Sequence, residues 1–253
     1  MQPLSVVIIT LNEEHNIRRC IASVRDIADE ILVVDSHSTD NTAEICRKEG
    51  CTVISRVFDG YGRQKQFAVD RAQNDWILSL DADECVTPEL SNEIRNLDPG
   101  EDARVNGYRI PRKLVYLGRV MRFSGTGNEK LLRLFNRRHA RFTDVLVHEK
   151  VVAEGKTGSL RGNLLHYSYK DLAHHFAKTN EYTTRAAGEY AARKKRFSRL
   201  WVAGKFPVSF ITFYLFKGGI LDGYPGFMWS FMAAVYGSMK IAKTIERTKT
   251  GTT

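Results

Sequence analysis

Apolar runs separated by helical patterns dominate the first third of the chain. The four runs, with their flanking residues, cover 5–10, 30–35, 52–55 and 76–80. Runs of this kind are typical of strands buried on both faces of a parallel sheet. Between the first two runs, apolar residues recur at helical spacing, at Ile17, Cys20, Ile21 and Val24. The alternation predicts a βαβαβαβ series, and hence a mostly parallel sheet with right-handed crossovers.

Capping residues predict where several helices begin. Asn12 precedes two glutamates, which suit the positive end of a helix, and Thr87 precedes Pro88. Ser168 and Asp171 have the spacing of a capping box, which predicts a long helix that reaches roughly residue 196.

The second half of the chain has a different pattern. From about residue 105, short predicted strands alternate with turns, and residues 123–128 suggest a mobile loop. After the predicted long helix the chain is basic and aromatic. Glycine and proline interrupt this part, which predicts two short helices and a frayed end. We therefore expect an α/β domain over residues 1–168 and a helical extension over residues 169–253.

Polar side chains follow three of the predicted parallel strands. Thr10 and Asp35 end the first two, and Asp81 and Asp83 follow the fourth. Because the carboxyl ends of parallel strands share one rim, where ligands bind, we expect these groups to converge. Asp81 and Asp83 are two positions apart, so a locally extended backbone would point both carboxylates the same way. Two such oxygen ligands suit Mg²⁺ or Mn²⁺ shared with substrate phosphates.

The Asp-x-Asp pattern also has a simpler interpretation, which is a solvated acidic turn before a helix. The convergence of three polar strand ends favours a nucleotide-binding site instead. A dinucleotide-binding Rossmann fold is disfavoured because no GxGxxG follows the first strand, and a P-loop is excluded because no GxxxxGK[ST] occurs.

The charge balance indicates an anionic partner. The 253 residues include 38 Lys and Arg against 29 Asp and Glu, which gives a net charge of +9 and a pI of about 9.4. Nucleic acid, a phosphorylated sugar or an acidic membrane would suit this charge. A nucleic-acid-binding protein is the remote alternative, because the chain has no helix-turn-helix, zinc-finger or RNP signature.

Cysteine spacing and hydropathy indicate a cytoplasmic protein. The four cysteines show no metal-ligand spacing, so we expect reduced and mostly buried thiols. The N-terminus lacks the features of a signal peptide, and no apolar run is long enough to predict a transmembrane helix. Basic residues at 193–199 and aromatic residues over 206–236 suggest peripheral contact with an anionic membrane surface, on the inner face of the cytoplasmic membrane.

Three segments together resemble family-2 inverting glycosyltransferases of the GT-A fold. They are residues 6–14, 31–40 and 78–83, which occur in the family's order and at its separations. The resemblance implies a Rossmann-like nucleotide-diphospho-sugar transferase, with a nucleotide-sugar half at about 1–100 and an acceptor half at about 101–168. Residues 147–149 and 221–227 resemble, more narrowly, the branch that adds β-1,4-linked glucose to the inner core of lipopolysaccharide.

The resemblance also implies roles for individual residues at the donor site. Asp35 would bond the uracil of a UDP-sugar, beside Thr10, Asn12 and Glu13. Lys65 stands where the family usually has arginine, and it would offer a charge to phosphate. Asp83 would bind the metal directly. Asp81 would either contact the ribose or support the metal site without binding the metal itself.

The acceptor side is less defined by the resemblance. Glu149 is the expected catalytic base, with Asp144 as its competitor. Whether His148 or His166 contributes to the metal site stays open.

The implied reaction is inverting transfer of a hexose, glucose in this branch, from a UDP-sugar to a lipid-linked saccharide. The implied acceptor is the heptose of the lipopolysaccharide inner core. An alternative is the same chemistry on a polyprenyl-phosphate or another glycan acceptor.

Overall fold

A parallel four-stranded sheet forms the first part of the protein. The computed structural model describes residues 2–97, 105–126, 129–143 and 150–250. The parallel strands are β1 (Leu4–Thr10), β2 (Glu30–Asp35), β3 (Thr52–Ser55) and β4 (Trp76–Asp81). Their order is β3-β2-β1-β4, and all three pairings are parallel. The predicted strands and the predicted parallel sheet are confirmed.

Three helices connect these strands. They are α1 (Ile17–Val24), α2 (Thr42–Lys48) and α3 (Tyr61–Arg71). The buried residues of α1 are the four that helical spacing predicted. Side chains alternate between the sheet faces, so Val6 and Ile8 pack in one apolar cluster with α1, while Val7 packs in another with α3. Each fully buried aliphatic side chain contributes about 1.5–3 kcal/mol to folding, so these two layers fix the sheet.

Further strands, most of them antiparallel to their neighbours, extend the sheet beyond β4. After β4 come the strand β5 (Glu84–Val86) and the helix α4 (Pro88–Arg95), which Thr87 caps as predicted. The later strands are β6 (Val105–Tyr116), β7 (Arg119–Val120), β8 (Glu129–Asn136), β9 (Ala140–Phe142), β10 (Val151–Ala153), β11 (Lys156–Ser159) and β12 (Leu164–His166). The strand order continues from β4 through β8, β6 and β12 to β5, while β9 and β10 form a separate pair.

The chain divides into two compact units. The first comprises Met1–Lys113 and Asn128–Tyr167, and the second comprises Leu114–Gly127 and Ser168–Thr253. A short segment from the middle of the chain thus belongs with the C-terminal helices. In the second unit, the helices are α5 (Leu172–Ala192), α6 (Arg199–Ile211) and α7 (Gly223–Thr250), with a π-helix at Thr212–Phe216 and a 3-10 helix at Gly219–Asp222.

Several predicted helix boundaries are wrong. The first helix begins at Ile17 and not after Asn12, whose side chain bonds a distant loop instead. Helix α5 is capped by Asp171, which accepts a hydrogen bond from the His174 amide, so Ser168 lies outside it. The same helix ends at Ala192, four residues short of the predicted end.

The C-terminal segment is more ordered than predicted. Helix α7 is 28 residues long and includes the predicted frayed part up to Thr250. Pro225 lies in its first turn, where proline is tolerated because the amide there has no helical partner. Ser124, in the loop predicted to be mobile, is fully buried. None of the described helices is both long enough and apolar enough to cross a membrane.

Candidate active site

The ends of three neighbouring strands form the rim of the candidate site. In the parallel registers, Thr10 lies opposite Asp35, and Ile9 lies opposite Asp81. The carboxyl ends of β2, β1 and β4 therefore lie side by side, and the expected convergence is confirmed.

Two loops at this rim are joined by long-range hydrogen bonds. The Asn12 amide donates to Ser38 Oγ at 2.9 Å, and the Thr39 amide donates to Asn12 Oδ1 at 2.8 Å. The Glu13 amide donates to Thr42 Oγ1 at 2.8 Å. Asn12 has a φ of 54°, a left-handed conformation that asparagine tolerates better than most residues. Asn12 and Glu13 thus hold the loop after β1 against the loop after β2.

Two polar side chains are buried at the strand ends. Asp35 is 2% exposed and accepts hydrogen bonds from the Ser38 amide, at 3.0 Å, and from the Ser38 hydroxyl. Thr10 Oγ1 is buried and makes no hydrogen bond within the described part of the chain. An unpaired buried hydroxyl is costly, so it is suited to bind a ligand that supplies the missing partner.

Asp81 belongs to a buried network of alternating charges. Its carboxylate lies 2.8 Å from Lys65 Nζ and 2.8 Å from Arg133 Nη2. Arg133 also contacts Glu84 at 2.9 Å, and Arg112 contacts Glu84 at 3.1 Å. Lys65 is 3% exposed, Arg133 5% and Glu84 fully buried. Buried charges need such pairing, because desolvation of an unpaired ion is very costly.

The network fixes the protonation of its members. Burial opposes the ionisation of Asp81, but the charges of Lys65 and Arg133 outweigh it and hold the pKa of Asp81 well below its usual range. Burial likewise disfavours charged Arg133, but Glu84 and Asp81 raise its pKa above the usual value. Asp81 is therefore a carboxylate whose oxygens are already paired with cations.

Asp83 has a different environment from Asp81. Ala82 and Asp83 form a turn, not the extended backbone that the spacing suggested. Asp83 Oδ2 lies 3.2 Å from His166 Nε2, and the two side chains are 18% and 21% exposed. The antiparallel pairing of β5 with β12 brings His166 here, and the Tyr167 amide donates to the Asp83 carbonyl at 2.8 Å.

Asp83 and His166 fit a divalent metal ion. A carboxylate oxygen and an imidazole nitrogen are both suitable ligands, and these two lie within 3.2 Å of each other. The described residues contain no group of three or more His, Cys, Asp or Glu side chains placed to hold an ion. A metal at this pair would therefore depend on substrate oxygens or water for its remaining ligands.

Glu149, Asp144 and His148 lie outside the described residues, so their predicted roles stay predictions.

The four cysteines are free and buried, as expected. Burial raises the pKa of Cys46 and Cys85 to about 12 and that of Cys51 to about 11, which keeps these thiols protonated and unreactive.

Comparison with known proteins identifies the family. The family model described as "Glycosyl transferase family 2" matches residues 5–152. The chain belongs to glycosyl transferase family 2. The predicted family, the enzyme class and the α/β GT-A fold with a C-terminal helical region are thereby confirmed.

Relatives of this glycosyltransferase cover nearly its whole length. An uncharacterised glycosyltransferase of Rickettsia typhi is 32% identical over 97% of this chain and 88% of its own length. The lipopolysaccharide core biosynthesis glycosyltransferase LpsC of Rhizobium meliloti is 32% identical over 97% of this chain and 93% of its own. Among solved structures, glucosyl-3-phosphoglycerate synthase from Mycobacterium tuberculosis, in complex with Mn²⁺, UDP and glucosyl-3-phosphoglycerate, has a TM-score of 0.35 at 25% identity. It covers 46% of this chain and 45% of its own.

Sequence reasoning missed Glu84, Arg112 and Arg133, which belong to the charge network around Asp81. Glu84 follows the Asp-x-Asp pattern directly, yet its partners Arg112 and Arg133 lie 28 and 49 positions away. A pattern of residues close together in the sequence cannot predict a network whose members are so far apart. The sequence analysis left open whether His166 contributes to the metal site, and the structure places this histidine beside Asp83.

Proposed function

We propose that this glycosyltransferase transfers a hexose, glucose in the first instance, from a UDP-sugar to a lipid-linked saccharide. One observation carries the proposal: the rim combines buried Asp35, the unpaired hydroxyl of Thr10 and the Asp83–His166 pair on adjoining elements. The proposed acceptor is the heptose of the lipopolysaccharide inner core, which is supported by the similarity to LpsC along almost the entire chain.

The donor residues have separate tasks in this proposal. Asp35 accepts a hydrogen bond from the uracil, and Thr10 lines the base and ribose site with Asn12 and Glu13. Lys65 keeps Asp81 ionised and in place, and Asp81 supports the ribose or the outer part of the metal site. Asp83 and His166 would hold Mg²⁺ or Mn²⁺, and a bound ion would supply positive charge near the departing nucleotide.

The acceptor hydroxyl is a weak nucleophile, so a carboxylate base has to remove its proton. We assign this role to Glu149, with Asp144 as the alternative. A single attack on the face opposite the leaving group inverts the anomeric centre, so an α-linked nucleotide sugar gives a β-glycoside.

Thermal unfolding tests the donor assignment. UDP-glucose with Mn²⁺ should raise the melting temperature, since a ligand that binds only the folded state stabilises it. GDP-mannose with Mn²⁺ is the matched control. A larger shift with GDP-mannose, or no shift with any UDP-sugar, would refute the proposed donor.

Substitution tests the base. Glu149→Gln keeps the shape and removes the basicity, so turnover should fall by about 10²-fold or more, while donor affinity stays unchanged. Asp144→Asn is the matched variant. If Glu149→Gln is active and Asp144→Asn is inactive, the catalytic base is Asp144.

An acceptor assay distinguishes the two proposed acceptors, because a polyprenyl-phosphate and the lipopolysaccharide saccharide can be offered separately.

The second unit supports the proposal of a membrane-linked acceptor. Residues 190–221 contain no Asp or Glu, but they include Arg193, Lys194, Lys195, Arg196, Arg199, Lys205 and Lys217. Leu200 is 82% exposed, Trp201 62% and Phe216 83%. Exposed apolar side chains among cations are the combination that binds an anionic bilayer interface.

Liposome flotation tests this contact. The protein should float with anionic vesicles at low salt and less at high salt, because salt screens the attraction. Trp201→Ala with Phe216→Ala should weaken binding, whereas Val57→Ala, in the first unit, should not. Equal recovery with neutral and anionic vesicles would refute the electrostatic contribution.

A further inference from the structure

A cationic cleft adjoins the donor site in the first unit. It has a volume of about 890 Å³, and Asp81 is one of the residues that line it. Strands β6, β8 and β10 supply most of its lining. Among the described residues that line it are two carboxylates, Asp81 and Glu129, and six cations, Lys65, Arg109, Arg112, Lys130, Arg133 and Lys150.

The cations of the cleft fall into two groups. The inner group is engaged by protein carboxylates, as Lys65 with Asp81, Arg133 with Asp81 and Glu84, and Arg112 with Glu84 and Glu129. The outer group consists of Arg109, Lys130 and Lys150. All three are exposed, and none forms an ion pair within the described residues. As far as the described residues are concerned, the positive charge of the outer group is therefore available to a ligand.

Most of the groups assigned to the nucleotide do not line the cleft. Of the donor-site residues, it shares only Lys65 and Asp81 with the rim, whereas Thr10, Asp35, Asp83 and His166 are not part of its lining. Lys150, which directly follows the proposed base in the sequence, does line it. A ligand bound by the outer group of cations would thus lie beside the sugar that is transferred. The acceptor has to bind at that position for its hydroxyl to attack the sugar.

We propose that this cleft binds an acidic acceptor, and that Arg109, Lys130 and Lys150 hold its phosphate or carboxylate groups. The inference rests on the proposed function and adds to it the chemical class of the acceptor. Arginine can bind a phosphate or a carboxylate through two parallel hydrogen bonds, and lysine adds a point charge. An excess of one charge sign in a walled cleft also concentrates ligands of the opposite sign.

Calorimetry on the full chain tests the proposal in two stages. The first measures UDP binding with Mn²⁺. The second measures binding of a deacylated lipopolysaccharide inner-core oligosaccharide to the UDP-loaded enzyme, in its native form, after phosphatase treatment and after carboxyl reduction. Loss of binding after one treatment identifies which anionic group is recognised.

Charge-removing variants link that binding to the cleft. Arg109→Gln, Lys130→Gln and Lys150→Gln should each weaken binding of the native oligosaccharide by about tenfold, which corresponds to about 1.4 kcal/mol. Their affinity for UDP should stay at the wild-type value. Arg161→Gln, which removes an exposed arginine outside the cleft, is the matched control and should change neither affinity.

Four results would overturn the inference. The wild type could bind the oligosaccharide equally well after both groups are neutralised, or fail to bind the native form at all. The variants could lose affinity for UDP to the same extent, which would place these cations in the donor site. Absence of UDP binding in the wild type would instead refute the proposed function, and the inference with it.

Discussion

The two units of the protein differ in how many charged side chains they bury and in how exposed their large apolar side chains are. The first unit buries ions: Glu84 is fully buried, and Lys65 and Arg133 are almost so. The second unit exposes apolar side chains, with Leu200 and Phe216 each more than four-fifths exposed. Charge inside the first unit lies beside the rim that would bind a charged donor. Apolar surface on the second unit suits contact with lipid.

The units also stabilise a buried carboxylate differently. Glu84 is neutralised by arginines, whereas Asp222 accepts hydrogen bonds from the Arg122 and Phe123 amides, both at 3.0 Å, and from Ser124 Oγ at 2.8 Å. Backbone amides are fixed in place by the fold, but paired ions depend on every member of the set. The first unit should therefore be the more sensitive to loss of a charge.

The largest expected effect is on catalysis in the first unit. Asp83→Ala should reduce transfer by at least about 10³-fold, because a metal supplies several kcal/mol of charge stabilisation to the reaction. The melting temperature should hardly change, since the Asp83 side chain is partly exposed at the end of the sheet. Steady-state kinetics at saturating donor and Mn²⁺, together with thermal unfolding, measure both. Near-normal turnover would remove Asp83 from the metal site.

Loss of a buried charge should affect stability instead. Glu84→Gln removes the charge that Arg112 and Arg133 share, so the free energy of unfolding should fall by about 3–5 kcal/mol. Glu129→Gln is the matched control, because Glu129 is an exposed partner of Arg112 and its loss should cost at most about 1 kcal/mol. Urea unfolding measures both variants. Equal losses would mean that burial of the network does not matter.

The second unit should instead respond to pH through His175. This histidine is 6% exposed, and its Nδ1 lies 2.8 Å from the Tyr116 hydroxyl, beside Tyr169 and Trp229. Burial, together with the charges of His174 and Lys178, lowers the pKa of His175 to about 4. The unfolded chain, with a pKa near 6.5, therefore binds the proton more readily than the folded one between pH 6.5 and 4.

The stability supplied by neutral His175 is fully present above pH 6.5 and decreases as the pH falls towards 4. The free energy of unfolding should fall by about 3 kcal/mol in total, and the fall should level off once the pH is below 4. Urea unfolding of the wild type and of His175→Gln, measured at pH 7 and 4.5, isolates the effect. If both proteins lose the same stability on acidification, His175 is not its source.

The sequence predicted the parallel half of the fold because its signals there are local. The buried stripe of α1 and the cap at Thr87 follow from residues a few positions apart. Asn12 misled the helix prediction because its amide oxygen bonds Thr39, 27 positions away. The contact between Asp83 and His166 could not be predicted for a similar reason, since these two residues meet only through the pairing of two three-residue strands.

The smallest expected effect concerns nucleotide affinity at the rim. Asp35→Ala should weaken UDP binding by about 1–3 kcal/mol, because a buried hydrogen bond to the uracil is lost. Turnover at saturating donor should change less, since the substituted group is remote from the transferred sugar. Calorimetry with UDP and Mn²⁺ measures the first effect, and initial rates at high donor concentration measure the second.

A structural role for Asp35 has to be separated from a binding role. The carboxylate also holds the Ser38 amide, so its loss could disturb the loop after β2 and weaken binding indirectly. Asp35→Asn keeps an oxygen that can accept from Ser38 and adds a donor that conflicts with the N–H of uracil. If Asp35→Asn binds UDP as weakly as Asp35→Ala and keeps the wild-type melting temperature, Asp35 contacts the base. If Asp35→Asn binds UDP normally, the carboxylate only supports the loop.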